Sequence, residues 1–114
     1  MNVVKLESIE NSIVAIRGEK VLIDVDVAEI YGVETKRVNE AVKNNLDKFP
    51  EDYLFEVNQD EKNELVENFD RFNRLKHSTA KPKAFTEHGA LQAANILNSQ
   101  VEHYVVKELD RVWD

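Results

Sequence analysis

Gly32 separates two short stretches of helical periodicity, and this interruption constrains the fold more than any other feature of the sequence. Asp26 is placed to cap the first stretch, with Glu29 three residues later as in a capping box. Gly32 can adopt the left-handed conformation that ends a helix, and Thr35 can cap the second stretch. Two short helices joined by so tight a turn have the outline of a helix-turn-helix.

The second predicted helix has one apolar and one polar face. At helical spacing its apolar positions are Val38, Ala41, Val42, Leu46 and Phe49. In a helix-turn-helix, the second helix enters the major groove of DNA, where arginine and lysine bind guanine and asparagine binds adenine. The candidate DNA contacts on this helix are Thr35, Lys36, Arg37, Asn39, Lys43 and Asn44. The alternative is an ordinary surface helix, because lysine, glutamate and asparagine are common on solvated faces.

Charge restricts where a polyanion can bind. The chain carries 22 acidic and 15 basic side chains, a formal net charge of −7, which argues against attraction of nucleic acid by the whole surface. The stretch from Arg71 to Lys83 is different because it contains no acidic residue. We predict that its basic residues form a wing or arm along the phosphate backbone; they are Arg71, Arg74, Lys76, Lys81 and Lys83. The alternative is a flexible loop that its charges keep in solution.

The remaining patterns predict a mixed α+β fold in one domain, residues 1–114. Residues 12–25 form two runs of branched apolar residues around Gly18 and Glu19, which predicts an N-terminal β-hairpin with a type II′ turn. The alternation in residues 53–57 predicts a further short strand, with Tyr53, Phe55 and Val57 on one side.

C-terminal helices follow the predicted strand. Asn58 and Glu61 form a capping pair for a helix before the basic stretch. Thr86 caps a helix that is buried through Ala90, Leu91, Ala94 and Leu97. Ser99 and Glu102 form a further capping box for a last helix that ends near Trp113.

Two stretches of the sequence resemble a known family. These are "LIDVDVAEIYGVETKRVNEAVKNNLDKFPEDYLFEV" and, further on, "KAFTEHGALQAANIL". They are similar to the ORF-six N-terminal domain family, whose relatives include the KilA-N domain of phage, prophage and large DNA virus proteins. The resemblance runs from about Ile13 to Leu97 and implies a DNA-binding module that is associated with phage regulation or antirepression. It also implies that the second helix and the basic segment are the contact surfaces.

Other kinds of chemistry have little support in the sequence. There is no cysteine, no glycine-rich phosphate loop and no metal-ligand cluster of recognisable spacing, so we expect no enzyme, metal or cofactor. Asp24 and Asp26 are two apart, but a strand end followed by an N-cap explains both. No apolar run approaches the roughly 20 residues that span a bilayer, so we expect a soluble, cytoplasmic protein without membrane contact.

The last predicted helix has more apolar surface than one docking face needs, which suggests a protein partner. Its apolar residues cover a wide arc and include Val101, Tyr104, Val105, Val106, Leu109, Val112 and Trp113. We predict a homodimer formed partly by the 100–113 helix; the alternative is that this helix lies in a groove of its own domain with Trp113 folded back. For the whole protein, the leading hypothesis is a domain that binds double-stranded DNA. The alternative is a module that binds a regulator protein, as an antirepressor does.

Overall fold

The computed structural model describes residues 6–97, 107, 111 and 113, and it confirms the mixed α+β class. The helices are α1 (Leu6–Ser12), α2 (Asp24–Tyr31), α3 (Thr35–Lys43), α4 (Gln59–Asn68) and α5 (Glu87–Leu97). The strands are β1 (Val14–Ile16), β2 (Glu19–Ile23), β3 (Leu54–Glu56) and β4 (Lys83–Phe85). Two 3-10 helices complete the described elements, Leu46–Lys48 and Asp70–His77.

The N-terminal hairpin is confirmed, but its turn differs from the prediction. Ile16 pairs with Glu19, so the two loop residues are Arg17 and Gly18 rather than Gly18 and Glu19. Arg17 has φ 57° and Gly18 has φ 73°. Two consecutive positive φ angles are typical of a type I′ turn, because type II′ needs a positive φ at its first central residue only.

The hairpin belongs to an antiparallel sheet in the order β1-β2-β4-β3. The sequence patterns did not predict β4, although it lies between β2 and β3. This strand has three residues between Pro82 and Thr86, too few for a periodicity to be visible. Phe85 of β4 is the partner of both Leu22 in β2 and Leu54 in β3. Lys83 is therefore part of the sheet and not part of a loop.

Helices pack on both faces of this sheet. Leu22 and Phe85 join a buried cluster with α2, α3 and α5, whereas Val21, Ile23 and Ala84 join a second cluster with α4 and the 3-10 helix Asp70–His77. Alternation along each strand explains the division. Of the three residues that we expected on one side of β3, Phe55 and Val57 pack with the second cluster, whereas Tyr53, which precedes the strand, packs against the first.

The helix ends correct several predicted caps. Ile23 is the N-cap of α2, so Asp24 and Asp26 both lie in its first turn and Asp26 is not the cap. Glu34 is the N-cap of α3, so Thr35 is its first helical residue. Gly32, with φ 69°, ends α2 as predicted.

The predicted caps of α4 and α5 are confirmed. The capping box of α4 is present, and at the start of α5 the Thr86 hydroxyl accepts a hydrogen bond from the N–H of Gly89. Three of the four residues that we predicted to be buried in α5 are buried, namely Ala90, Ala94 and Leu97. Leu91 is only partly buried.

Most of the last predicted helix, including its Ser99 cap, lies outside the described residues. Trp113 is described, and it is buried within its own chain. Its carbonyl oxygen accepts a hydrogen bond from Nζ of Lys20, 3.1 Å away. The burial of Trp113 agrees with the alternative in which this residue folds back onto its own domain. The homodimer itself stays a prediction.

Candidate nucleic-acid interface

The core holds α3 in a defined rotation about its own axis. Val38 and Val42 are buried in the cluster beneath it, as predicted from their spacing. The neighbouring helix α2 is fixed by Tyr31, whose hydroxyl donates to the carbonyl oxygen of Ala90 across 2.6 Å. Because these contacts engage one side of the helix pair, the polar side of α3 faces outward.

A groove of about 530 Å³ runs between α3 and the start of β4. The lining residues are Lys36, Asn39, Glu40, Val42, Lys43, Leu46 and Lys83. Three of these side chains are cationic and one is acidic, in a chain with a net charge of −7. The groove therefore gathers positive charge that the whole surface lacks. It brings together predicted contacts from two distant stretches of the sequence.

Asp24 joins the two walls of this groove. Its Oδ2 accepts from Nδ2 of Asn39 on α3 and from the backbone N–H of Lys83 on β4, both at 3.3 Å. The Asp24 side chain lies in the first turn of α2 and is only 4% exposed. Burial raises its pKa above the ordinary value, and the bonds from Lys83 and Asn39 oppose that shift. One carboxylate thus fixes the separation of α3 and β4.

Asn39 is partly buried, and its amide is not free to read a base. Nδ2 is engaged with Asp24, and Oδ1 is buried with no hydrogen-bond partner among the described residues. A bidentate bond to adenine would require Nδ2 to leave Asp24. In this structure, Asn39 contributes to the groove chiefly by attaching α3 to the buried carboxylate.

The other predicted contacts on α3 differ in exposure. Thr35 is partly buried at the start of the helix, whereas Arg37 and Asn44 are exposed at its two ends. Lys36 and Lys43 are exposed along the groove. Lys36 also lies 4.0 Å from a carboxylate oxygen of Glu40, one helical turn away. So weak an exposed pair leaves Lys36 available to a phosphate.

The basic stretch from residue 71 to residue 83 is attached to the domain at several points, so it does not extend from the domain as a free arm, although residues 78–82 form a loop. Its first part is the 3-10 helix Asp70–His77, in which Phe72 is fully buried. Beyond this helix, the buried Lys62 donates to the carbonyl oxygens of Ser78 and Ala80. The N–H of Val57 then donates to the carbonyl oxygen of Pro82 at 2.8 Å.

Arg71 has a structural role, although 36% of its side chain is exposed. Its guanidinium donates to Oδ2 of Asp26 at 3.4 Å and to the carbonyl oxygen of Ser12 at 3.2 Å. It also lies over the rings of Phe69 and Phe72, at 5.0 Å and 4.4 Å from their centroids. Burial raises the pKa of Asp26 to about 6, and the charge of Arg71 opposes this shift. Arg71 therefore anchors the basic stretch to α2.

Arg74, Lys76 and Lys81 are exposed but do not line the groove. The ammonium group of Lys81 lies 3.9 Å from a carboxylate oxygen of Glu56. Of the basic stretch, only Lys83 contributes a side chain to the groove within the part of the chain that the structure describes.

The family model of the ORF6N domain matches residues 11–96, from the end of α1 almost to the end of α5. The chain belongs to the ORF6N domain family. The matched range contains the helix pair, the groove and the basic stretch of this ORF6N domain. Searches of curated proteins and of solved structures returned no match.

Two residues were not recognised from the sequence as part of the ORF6N site: Asp24, which is buried behind the groove, and Leu46, which lines it. Asp24 was interpreted as a strand end, and the signal for its role is a carboxylate set directly after the buried run of β2. Leu46 was placed on the buried face of α3, but it is 67% exposed. The α-helix ends at Lys43, and the following 3-10 helix changes the direction in which Leu46 points.

Among the described residues, no group of three or more histidine, cysteine or acidic side chains is placed to hold a metal ion. No helix within residues 6–97 is long and apolar enough to cross a membrane.

Proposed function

We propose that this ORF6N domain binds double-stranded DNA without catalysing a reaction, with α3 facing the major groove. Lys36, Lys43 and Lys83, which line the groove between α3 and β4, then contact phosphates of the DNA backbone. The observation that carries the proposal is the convergence of these lysines from α3 and β4 on one surface, although the chain is acidic overall. Lysines near a phosphate release condensed counterions, which is the main source of sequence-independent affinity for DNA.

The helix geometry supports the same function. α2 and α3 are joined through Gly32 as in a helix-turn-helix, and α3 presents Arg37 near its exposed N-terminal end. In that motif, the N-terminal residues of the second helix contact base edges. The ORF6N family is consistent with a phage-type regulatory domain, and we infer a regulatory, antirepressor-like role.

A mobility-shift assay on mixed genomic fragments tests the proposal. The wild-type domain should shift DNA at about 50 mM salt and much less at about 200 mM. A variant with Lys36→Gln, Lys43→Gln and Lys83→Gln should lose the shift. Lys107→Gln changes an exposed lysine that does not line the groove, and it should bind like the wild type.

Two results would contradict DNA binding through the groove. One is the absence of any salt-sensitive shift by the wild type. The other is a triple variant that is folded and binds as tightly as the wild type. Circular dichroism and thermal unfolding would establish that the variants are folded.

Binding to a regulator protein is the second candidate, and the charge of α4 favours it. Asp60, Glu64 and Glu67 are exposed on this helix, whereas its lysine, Lys62, is buried. The result is an acidic surface suited to a basic partner. Changing the three acidic residues to their amides should abolish co-purification of such a regulator, but should leave the affinity for DNA unchanged or slightly higher.

A further inference from the structure

Leu46 is the large apolar side chain that stays exposed among the described residues, at 67% of its full accessibility. A single exposed leucine is unremarkable on most surfaces. This one lines the groove in which the three lysines converge. Its exposure is therefore worth explaining together with those charges.

The backbone holds Leu46 in place. The side-chain amide of Asn45 donates to the carbonyl oxygen of Ala41 at 2.8 Å, and the N–H of Phe49 donates to the carbonyl oxygen of Leu46 at 3.1 Å. Phe49 is buried and meets the ring of Phe85 edge to face, with 6.2 Å between the centroids. The 3-10 turn is thus fixed at both ends, so Leu46 is presented by an ordered turn and not by a frayed helix end.

The groove combines an apolar surface with a cationic rim. Leu46 supplies the exposed apolar surface, since Val42 is almost fully buried, while Lys43 and Lys83 supply charge at its edges. A strand of DNA has the matching arrangement, because phosphates flank the base edges. In the major groove, the one apolar group on those edges is the C5 methyl of thymine.

We propose that Leu46 is a specificity-determining residue that contacts the C5 methyl of a thymine, while Lys43 and Lys83 hold the flanking phosphates. This inference rests on the proposed DNA binding. It assigns sequence preference to the 3-10 helix that follows α3, in addition to the N-terminal residues of α3 that the helix-turn-helix pattern indicates.

Deoxyuridine provides a direct test, since it differs from thymidine only by the absence of the methyl group. A tightly bound fragment is first selected with the wild-type domain, and each thymine in it is then replaced singly. Losing a contact of one methyl group should weaken wild-type binding about fourfold at one position. Leu46→Ala should bind the thymine and uracil forms of that site equally, with affinity close to that of the wild type for uracil.

Two control variants separate this contact from other effects. Leu46→Met keeps an apolar side chain of similar reach and should retain discrimination between thymine and uracil. Lys48→Ala changes an exposed neighbour that does not line the groove and should also retain it. Because Leu46 is exposed, its replacement by alanine should not unfold the domain.

Several outcomes would overturn the proposal. The first is a wild-type domain that binds the thymine and uracil forms of every site with equal affinity. The second is a Leu46→Ala variant that still discriminates between thymine and uracil. The third is an equal loss of wild-type affinity at every thymine that is replaced. A change in sedimentation of Leu46→Ala without a change in discrimination would instead assign Leu46 to contact between two copies of the chain. Failure of DNA binding itself is distinguishable, because the wild type would then show no salt-sensitive shift.

Discussion

The side chain of Asn39 donates from Nδ2 to Oδ2 of the buried Asp24 across 3.3 Å, and this bond attaches α3 to the junction of β2 and α2. The same oxygen accepts the N–H of Lys83, so both walls of the groove meet at one carboxylate. Changes at Asp24 or Asn39 should therefore alter the geometry of the groove. This holds even though neither residue presents a free polar group at the surface of the groove.

Asn39→Asp should destabilise the domain more at neutral pH than at acidic pH. The new carboxylate would face Asp24, and two like charges at this distance cannot both ionise without repulsion. Asn39→Ala should cost about 1–3 kcal/mol, because it removes one partner of a buried carboxylate. Urea unfolding at pH 5 and pH 7 measures both effects. Asn73→Asp, at an exposed position, should be nearly neutral; equal costs for the two aspartate variants would contradict the assigned bond.

The stability of the domain should fall as the pH rises from about 4 to about 6 through the titration of Asp26. Burial raises the pKa of this group from 3.8 to about 6, so the folded state binds its proton more tightly than the unfolded chain does. The stability that this proton contributes is fully present below the unfolded pKa and is lost as the pH rises through the folded pKa.

The size of this effect is about 3 kcal/mol, at about 1.4 kcal/mol for each pKa unit. Asp26→Asn should remove this contribution, so the difference in unfolding free energy between wild type and variant should change across that pH range. Asp70→Asn, at an exposed position, should keep the wild-type pH profile. A constant difference between wild type and Asp26→Asn from pH 4 to pH 7 would contradict the raised pKa.

Arg71 and Arg74 should differ in how much they contribute to the stability of the domain. Arg71→Ala leaves Asp26 without its cation and removes contacts with two aromatic rings, so it should lower the unfolding free energy by about 2–3 kcal/mol. Arg74→Ala, at an exposed position of the same 3-10 helix, should change stability by less than about 0.5 kcal/mol. Thermal unfolding measures the contrast. Equal stability of Arg71→Ala and Arg74→Ala would contradict the structural role of Arg71.

Gly89→Ala should be among the most destabilising small substitutions in the domain. A Cβ atom at this position would lie 1.8 Å from the carbonyl oxygen of Tyr53, so α5 would have to move away from the start of β3. We expect a loss of about 3 kcal/mol or more. Gly18→Ala meets no atom within 4 Å but has φ +73°, and it should cost only about 1–2 kcal/mol. The reverse order in urea unfolding would show that α5 can adjust.

Arg37→Ala should change the sequence preference of the domain, because Arg37 is exposed near the N-terminal end of α3. A lost bidentate contact to guanine should cost about 1–3 kcal/mol at one base pair. Lys83→Gln should instead weaken binding to all sequences and reduce the slope of log affinity against log salt by about 0.9. Selection of bound sequences and salt titrations measure these two effects. Uniform weakening by Arg37→Ala would make this residue a phosphate contact.

Local sequence signals were sufficient where the structure depends on neighbouring residues. Gly32 ends α2 in the left-handed conformation, and Asn58 with Glu61 forms the capping box of α4, because each depends on groups within one turn of the chain. The buried face of α3 was also predicted through Val38 and Val42, since helical spacing alone places them together. The family resemblance was contained in the same local motifs and is confirmed by the match over residues 11–96.

The sequence by itself determined the helix pair, the hairpin and the positions of the basic residues. Only the tertiary structure decided which cations share a surface, because Lys83 lies in β4, an inner strand of the sheet that is too short to leave a sequence pattern. It also assigned Arg71 to the buried Asp26 and turned Leu46 outward after α3 ended. The physical reason is that burial, ion pairing and strand pairing join residues far apart in the chain, and local periodicity carries no information about those contacts.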